Sequence, residues 1–143
     1  MIVLDTNIIS EAFRIAPNST VRSWLDAQKP ADLFLCAPVL AELRYGIERL
    51  SVGARRTGLE QMISRVESEL FESRILPFDR EAAYEFGRIQ ARRVNLGRPI
   101  STMDALIAAI AVSNRMAIAT RNTGDFAELG LDVINPFAPA AAP

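Results

Sequence analysis

The sequence predicts an α/β fold in which a short parallel sheet is covered on both faces by helices. The first observation behind this is patterning. Short apolar runs at residues 2–4, 33–35 and 116–120 alternate with segments whose apolar residues recur at helical spacing. Strands alternating with helices in this way pair in parallel through right-handed crossovers. The second is size: 143 residues fit one domain, and no internal repeat or linker divides them.

Each element has its own signal. Ile2, Val3 and Leu4 form an apolar run that stops at Asp5, Thr6 and Asn7, after which Ile8, Ile9 and Phe13 take helical spacing. This is a buried strand feeding a helix. Pro17, Asn18 and Ser19 end that helix, and Asn18 or Ser19 caps a second one carrying Val21, Trp24 and Leu25. Leu33, Phe34 and Leu35 make the next strand, and Pro38 suits the first turn of a helix running to about Leu50. Gly53 marks a break. Leu59, Met62, Ile63, Val66 and Leu70 then predict a long amphipathic helix to about Ser73. Ile75 and Leu76 are a minimal strand before Pro77. Asp79 opens a helix with Ala82, Ala83, Phe86, Ile89 and Val94 as its apolar positions and Gly97 as its stop. Ser101 opens the most apolar helix, through Leu106, Ile107, Ile110 and Val112. A strand over residues 116–120 and a last one at Val133 and Ile134 follow. From Pro136 the chain is rich in Ala and Pro, and residues 138–143 are expected to form a flexible tail.

Composition removes several classes of function. Lys+Arg number 16 against Asp+Glu 17, so the chain is neither a basic nucleic-acid coat nor an acidic tail, and nucleic-acid binding needs a local patch. All the cations except Lys29 are Arg, which suits phosphate recognition and equally suits a GC-rich genome. Histidine is absent, which excludes Ser-His-Asp triads, Cys-His pairs and His-ligated zinc. Cys36 is the only cysteine, so an internal disulfide and any multi-Cys metal site are excluded, and it reads as a small buried apolar residue. Residues 1–5 carry no basic n-region, and the apolar stretch at 105–114 falls short of the about 20 residues a bilayer requires. The expectation is a soluble, cytoplasmic protein with no membrane partner.

The chemistry lies in acids. Ligands of open parallel sheets bind beyond the carboxyl ends of the strands. Asp5 follows the first strand there, and Asn122 and Asp125 follow the strand over 116–120. Asp104, in the first turn of the apolar helix, and Glu42, in the helix after the second strand, are placed to join them. Each also has a structural reading. Asp5 suits an N-cap, Ser101-x-x-Asp104 a capping box, Asp125 the cap of a short turn at Phe126, and Glu42 a solvated side chain. No local cation pairs with Glu42, and Gly46 leaves open space beside it. If these carboxylates converge, each pair at ~4 Å and an effective dielectric of ~20 repels by about 4 kcal/mol, so the site takes up protons or cations. Oxygen donors without His or Cys select hard ions such as Mg²⁺ or Mn²⁺, which act on phosphate substrates. The pattern describes metal-dependent phosphodiester hydrolysis.

Five segments carry a resemblance. They are Ile2-Val-Leu-Asp-Thr-Asn-Ile-Ile-Ser, Val39-Leu-Ala-Glu-Leu-Arg-Tyr-Gly, Asp104-Ala-Leu-Ile-Ala-Ala, Ala119-Thr-Arg-Asn-Thr-Gly-Asp-Phe and Val133-Ile-Asn-Pro-Phe. In this order and spacing the chain resembles the PIN-domain proteins of the VapC-type toxin family, closest to the FitB-like branch, over residues 1–137. The resemblance implies a three-layer α/β/α sandwich, Rossmann-like, with a short parallel sheet. It also implies a Mg²⁺- or Mn²⁺-dependent endoribonuclease that forms a homodimer and is inhibited by a partner antitoxin. The family's acids fall on Asp5, Glu42 and Asp104. At the fourth position the family often has Asp where this chain has Asn122, and Asp125 is the acid available nearby.

On this reading Asp5, Asp104 and Asp125 bind the ion directly or through water, while Glu42 orients or deprotonates the attacking water. Thr6, Asn7, Thr120 and Asn122 support the carboxylates or the substrate. Arg88, Arg92, Arg93 and Arg98 are candidates for the RNA backbone, with a solvated helix face as the alternative. Products would carry 5′-phosphate and 3′-hydroxyl ends. A phosphoacceptor receiver fails for want of a late Lys, an Asp-x-Asp phosphatase fails at Asn7, and no Gly-x-Gly or Gly-Lys-Ser/Thr motif occurs. The remaining rivals are a catalytically silent PIN scaffold that binds RNA or protein, and a DNA-directed nuclease of the same chemistry.

Overall fold

A computed structural model describes residues 1–138 of the chain. The tail expected at 138–143 lies, apart from Ala138, outside the described residues. Strands β1 (Ile2–Leu4), β2 (Leu33–Cys36), β3 (Ile75–Leu76), β4 (Ala117–Ala119) and β5 (Val133–Ile134) form one parallel sheet of order β3-β2-β1-β4-β5. β1 lies at the centre, with Val3 in register between Phe34 and Ile118.

The helices are α1 (Thr6–Ala12), α2 (Ser19–Asp26), α3 (Ala37–Glu48), α4 (Ala54–Arg65), α5 (Arg80–Asn95), α6 (Thr102–Ser113) and α7 (Thr123–Phe126). The chain leaves β1 towards β2 and β3, then returns across the sheet to β4 and β5. Right-handed crossovers running in opposite directions cover opposite faces, which places α1 to α4 on one side and α5 to α7 on the other. Most of the packing follows this division: α1 meets α2 and α3, α3 meets α4, and α6 meets α5 and α7, while α3 and α6 also touch. The three-layer α/β/α sandwich is the fold expected.

The core lies along the sheet and α6. Val3, Leu4, Leu35 and Ile118 are buried on the strands, and Ala105, Ile107, Ala108, Ala109, Ile110 and Ala111 are buried around α6. A helix apolar on all sides belongs in the interior, and its alanines let α5, α3 and β4 close on it. The caps are those the sequence suggests. Asn18 rather than Ser19 caps α2, its side chain accepting from Thr20 N at 2.9 Å and Val21 N at 3.2 Å. Asp79 accepts from Ala82 N at 2.9 Å. Gly97 takes φ +66° after α5, where Arg98 N donates to Arg93 O at 3.0 Å and Gly97 N to Val94 O at 2.9 Å. That pair of bonds is a Schellman closure, which favours glycine at the left-handed position.

Two expectations need correction. The long helix to Ser73 stops at Arg65 and passes into a π-helical turn, Val66–Leu70, closed by Phe71 N to Val66 O at 2.9 Å. The wider turn rotates the following side chains, so Phe71 is buried and Leu70 is left exposed. On α5 the inward row is Ala82, Phe86, Ile89 and Arg93, because helical spacing from Ile89 reaches 93 and not 94. Val94 and Ala83 are exposed, and Arg93 takes the interior position.

Candidate active site

The site lies at the carboxyl edge of the sheet between β1 and β4, the point where strand order reverses and open α/β sheets bind their ligands. Asp5 stands at this switch point, buried, with its N–H donating to Ala119 O at 3.0 Å. Its carboxylate is gripped from both strands. Oδ1 accepts from Thr6 N at 2.7 Å, and Oδ2 accepts from Thr120 Oγ1 at 2.7 Å and Asn7 Nδ2 at 2.5 Å. An ordinary N-cap accepts from the second or third helical N–H, so these bonds fix the carboxylate for more than capping α1. Thr120, fully buried, also accepts from Asn7 Nδ2 at 3.2 Å and from Asn122 N at 3.0 Å.

Glu42 projects from α3 half-buried and accepts a hydrogen bond from Thr6 Oγ1. Beside it Gly46 leaves open space, since an added Cβ would meet no atom within 4 Å. Asp104 sits in the first turn of α6, where Ser101 Oγ accepts from Asp104 N at 3.0 Å and donates to Asp104 Oδ2 at 2.7 Å. The capping reading of Asp104 is therefore realised, and the same carboxylate lies within electrostatic reach of Asp5. Burial raises the Asp5 carboxyl above its ordinary range, the hydrogen bonds from Thr120 and Thr6 pull it down, and the charges of Asp104 and Glu42 push it up again. Cys36 adjoins the cluster. Burial pushes its thiol up to about 12, and Asp5 and Glu42 add to the shift. It stays a protonated, inert core residue.

Asp5, Glu42 and Asp104 thus come together from the end of β1, from α3 and from α6. Asp125 is half-buried on α7, where its N–H donates to Asn122 O at 3.0 Å, and its charge is not among those that shift Asp5. Asn122 is exposed and joins the network through its backbone. Among the described residues no three acidic or thiol side chains already stand at ligand spacing around one point. The donor chemistry nevertheless fits a hard divalent cation: carboxylates and hydroxyls, no imidazole, and a thiol held protonated. A positive charge here relieves both the burial and the like-charge repulsion acting on Asp5.

The arginines divide. Arg88 is exposed and pairs with Glu85 at 3.0 Å, Arg98 is exposed with Glu128 at 3.8 Å, and Arg92 is exposed on α5. Arg93 is 4% exposed, so it does not belong to an outer cationic face. Its Nη1 donates to Gly124 O at 3.3 Å, tying α5 to the turn that carries Asp125, and its Nε is buried without a partner among the described residues. Two side chains beside the site have no counterpart in the sequence reading. Glu11 is buried on α1, and its carboxyl is held below the ordinary value of 4.5 by Asn18 N–H, then by Arg14 and Arg121. Arg121 reaches Glu11 Oε2 at 3.4 Å. The only sequence signal for either was an acid on the inward row of α1, beside Ile8.

An all-parallel sheet of this order with acids gathered at its switch point defines a class of protein, and a family comparison agrees: the PIN domain matches residues 2–131. The chain belongs to the PIN-domain family. Among its relatives is VapC ribonuclease Y4jK of Sinorhizobium fredii, 41% identical over 98% of this chain and 100% of the relative. Toxin FitB of Neisseria gonorrhoeae is 39% identical over 96% of this chain and 99% of its own. The fold matches the structure of FitAB bound to an IR36 DNA fragment with a TM-score of 0.92 and 38% identity, covering 99% of each chain. It also matches FitAcB from Neisseria gonorrhoeae with a TM-score of 0.87 and 39% identity, over 96% of this chain and 99% of that one. Among the described residues no helix is long and apolar enough to cross a membrane.

Proposed function

We propose that this protein is the toxin of a toxin–antitoxin pair, a Mg²⁺- or Mn²⁺-dependent endoribonuclease, with residues 1–137 as its catalytic domain. The observation that carries the reading is the convergence of Asp5, at the end of β1, with Glu42 on α3 and Asp104 on α6, both near enough for their charges to act on Asp5. The names of its relatives, a VapC ribonuclease and a FitB toxin, support the same conclusion.

Asp5 and Asp104 hold the ion, and Asp125 completes the set from α7, with Asn122 supporting it through its amide. When bound, such an ion supplies Lewis acidity and offsets charge on the scissile phosphate. The chain's own residues do the rest. Thr120, Asn7 and the Thr6 N–H keep the Asp5 carboxylate oriented, and the Thr120 and Thr6 bonds oppose the effect of burial on its pKa. Thr6 Oγ1 occupies Glu42 Oε2, which leaves Oε1 to orient the attacking water and take its proton. In-line attack then leaves 5′-phosphate and 3′-hydroxyl ends.

Arg88, Arg92 and Arg98 are exposed and serve the RNA backbone, a role for which Arg93 is too buried. A cognate antitoxin and a second copy of the chain are the protein partners. Exposed apolar side chains on α3 (Tyr45) and α5 (Tyr84 and Val94) support such docking. The activity belongs in the cytoplasm, where RNA is available to it.

The test is cleavage of a pool of structured RNA by the purified protein in Mn²⁺ or Mg²⁺, beside EDTA and an Asp104→Asn variant. Metal-dependent cutting lost in the variant, with 5′-phosphate products, is expected. Products ending in 2′,3′-cyclic phosphate would contradict the mechanism. Absent cutting by folded, antitoxin-free protein that also binds no divalent ion would leave a silent scaffold, and matched DNA substrates separate the DNA-directed case.

A further inference from the structure

Arg121 follows Thr120 at the carboxyl end of β4, and its side chain is fixed on two sides. Nη2 lies 3.4 Å from Glu11 Oε2, and Cζ stands 3.9 Å from the centroid of the Phe137 ring. Both supports are themselves anchored. The Glu11 carboxylate is 6% exposed and also accepts from Asn18 N at 2.8 Å and Arg14 Nη1 at 3.3 Å. Phe137 N donates to Asn135 Oδ1 at 3.0 Å, and Ala138 N to Asn135 O at 3.2 Å, a turn that sets the ring.

The backbone of Arg121 belongs to the acid network. Its N–H donates to Asn7 Oδ1 at 3.1 Å, and Asn7 Nδ2 in turn donates to Asp5 Oδ2 at 2.5 Å. The backbone from which the guanidinium extends is therefore one residue from Thr120 and two hydrogen bonds from the Asp5 carboxylate. A guanidinium has several N–H donors in a planar fork. Among the described residues only Nη2 has a protein acceptor, and the side chain is 52% exposed. Donors remain for a ligand.

The chemistry of that ligand follows from charge and shape. Asp5, Glu42 and Asp104 repel a polyanion that approaches them, so its backbone has to be held by cations set beside the cluster, and Arg121 branches from the same hydrogen-bond network. A fork held by stacking and by an ion pair has already given up the rotamer freedom that a mobile Arg loses on binding. Its planar donors match two oxygens of one phosphate.

The geometry points to Arg121 as a phosphate-binding fork that grips the RNA backbone beside the acidic cluster, with Glu11 and Phe137 as its positioning residues. The substrate class rests on the nuclease reading above. The fork itself does not require turnover, so binding tests it directly.

The experiment is fluorescence anisotropy of a fluorescein-labelled, mixed-sequence single-stranded oligoribonucleotide in EDTA across a salt series. Wild-type protein is compared with Arg121→Gln, Arg121→Lys and Phe137→Leu. Arg22→Gln, which removes the same charge from an exposed site on α2, is the control. Arg121→Gln is expected to weaken binding by about tenfold and to flatten the slope of log K against log salt by roughly 0.7, the contribution of one phosphate contact on a single strand. Arg121→Lys should keep the slope and lose affinity, as should Phe137→Leu, while Arg22→Gln changes neither. A wild-type slope in Arg121→Gln, with or without a lower melting temperature, assigns Arg121 to the fold alone and overturns the proposal. Equal losses in Arg22→Gln, or no binding by wild type, overturn it as well. Parallel cleavage assays separate the two readings: Arg121-dependent binding without cutting sinks the nuclease, and cutting with an Arg121-independent slope sinks the fork. If Arg121→Gln does not fold, Arg121→Lys and Phe137→Leu still decide it by whether affinity falls.

Discussion

Replacing Thr120 by Val keeps the size and branching of the side chain and removes one hydroxyl from a fully buried position. That hydroxyl donates to Asp5 Oδ2 at 2.7 Å and accepts from Asn7 Nδ2 at 3.2 Å and Asn122 N at 3.0 Å. A hydrogen bond to a charged group contributes about 1.5–3 kcal/mol, and the two donors left behind add less because their residues reach water, so the expected cost is about 2–4 kcal/mol. For a chain of this length that lowers the melting temperature by roughly 5–15 °C. The substitution also acts on Asp5, because the Thr120 bond is the largest influence holding its carboxyl down against burial. Without it the Asp5 pKa rises further, and the acid limb of metal-dependent RNA cleavage moves to higher pH. The sign for stability is set by the same shift. A folded pKa above the unfolded one makes ionised Asp5 a cost that disappears as pH falls through the folded value. The gap between wild type and Thr120→Val therefore narrows in acid. Thr120→Ser keeps the hydroxyl and loses a methyl, costing about 1 kcal/mol with the acid limb unmoved. Thermal melts across pH and cleavage profiles read both effects. A Val variant that melts with the Ser variant and keeps the wild-type acid limb would refute the assignment of Thr120 as the group that holds Asp5.

Other perturbations probe separate parts of the molecule. Saturating Mn²⁺, at about a hundred times its Kd, is expected to add about 2.7 kcal/mol of stability to wild type by linkage, and this gain should vanish in Asp5→Asn, as calorimetry would reveal. Glu11 has a lowered pKa, so its stabilisation is present above the unfolded value and is lost as pH falls through the folded one. Glu11→Gln should accordingly melt below wild type at neutral pH, with a difference that shrinks on acidification below 4.5, and a difference constant with pH would argue against it. Arg93→Met retains the packed stem and removes a buried cation whose Nε has no partner, so urea melts should place it within about 1 kcal/mol of wild type or above it. Arg93→Ala opens a cavity and should cost about 2–4 kcal/mol.

What the sequence disclosed was the local part of this structure. Apolar runs bounded by Asp5 and Pro77, the caps Asn18, Asp79 and Ser101, and the stop at Gly97 all act within a few residues of themselves, and each element they define is present. Asp5 and Asp104 were legible because one follows a strand and the other opens a helix at one edge of a parallel sheet, and Glu42 because it lies in the helix after the second strand with no local cation and with Gly46 beside it. Arg93 was misjudged because an arginine on a helix normally points outward. Its inward turn depends on Gly124, 31 positions further on. Arg121 and Glu11 were silent for the same reason, since 110 positions separate them. The π-helical turn at Val66–Leu70 carries no Gly or Pro to announce it.

The Asp5 carboxylate waits for a partner 115 positions away. During synthesis the acid is made 115 residues before the threonine that orients it. Until then β1 has only β2 beside it in the sheet, and the Asp5 carboxylate lacks its hydroxyl donor. A message cut short between the two codons would yield a chain in which Asp5 lacks the Thr120 hydroxyl and the β4 carbonyl that hold it, so the acid is fixed only once β4 has joined the sheet.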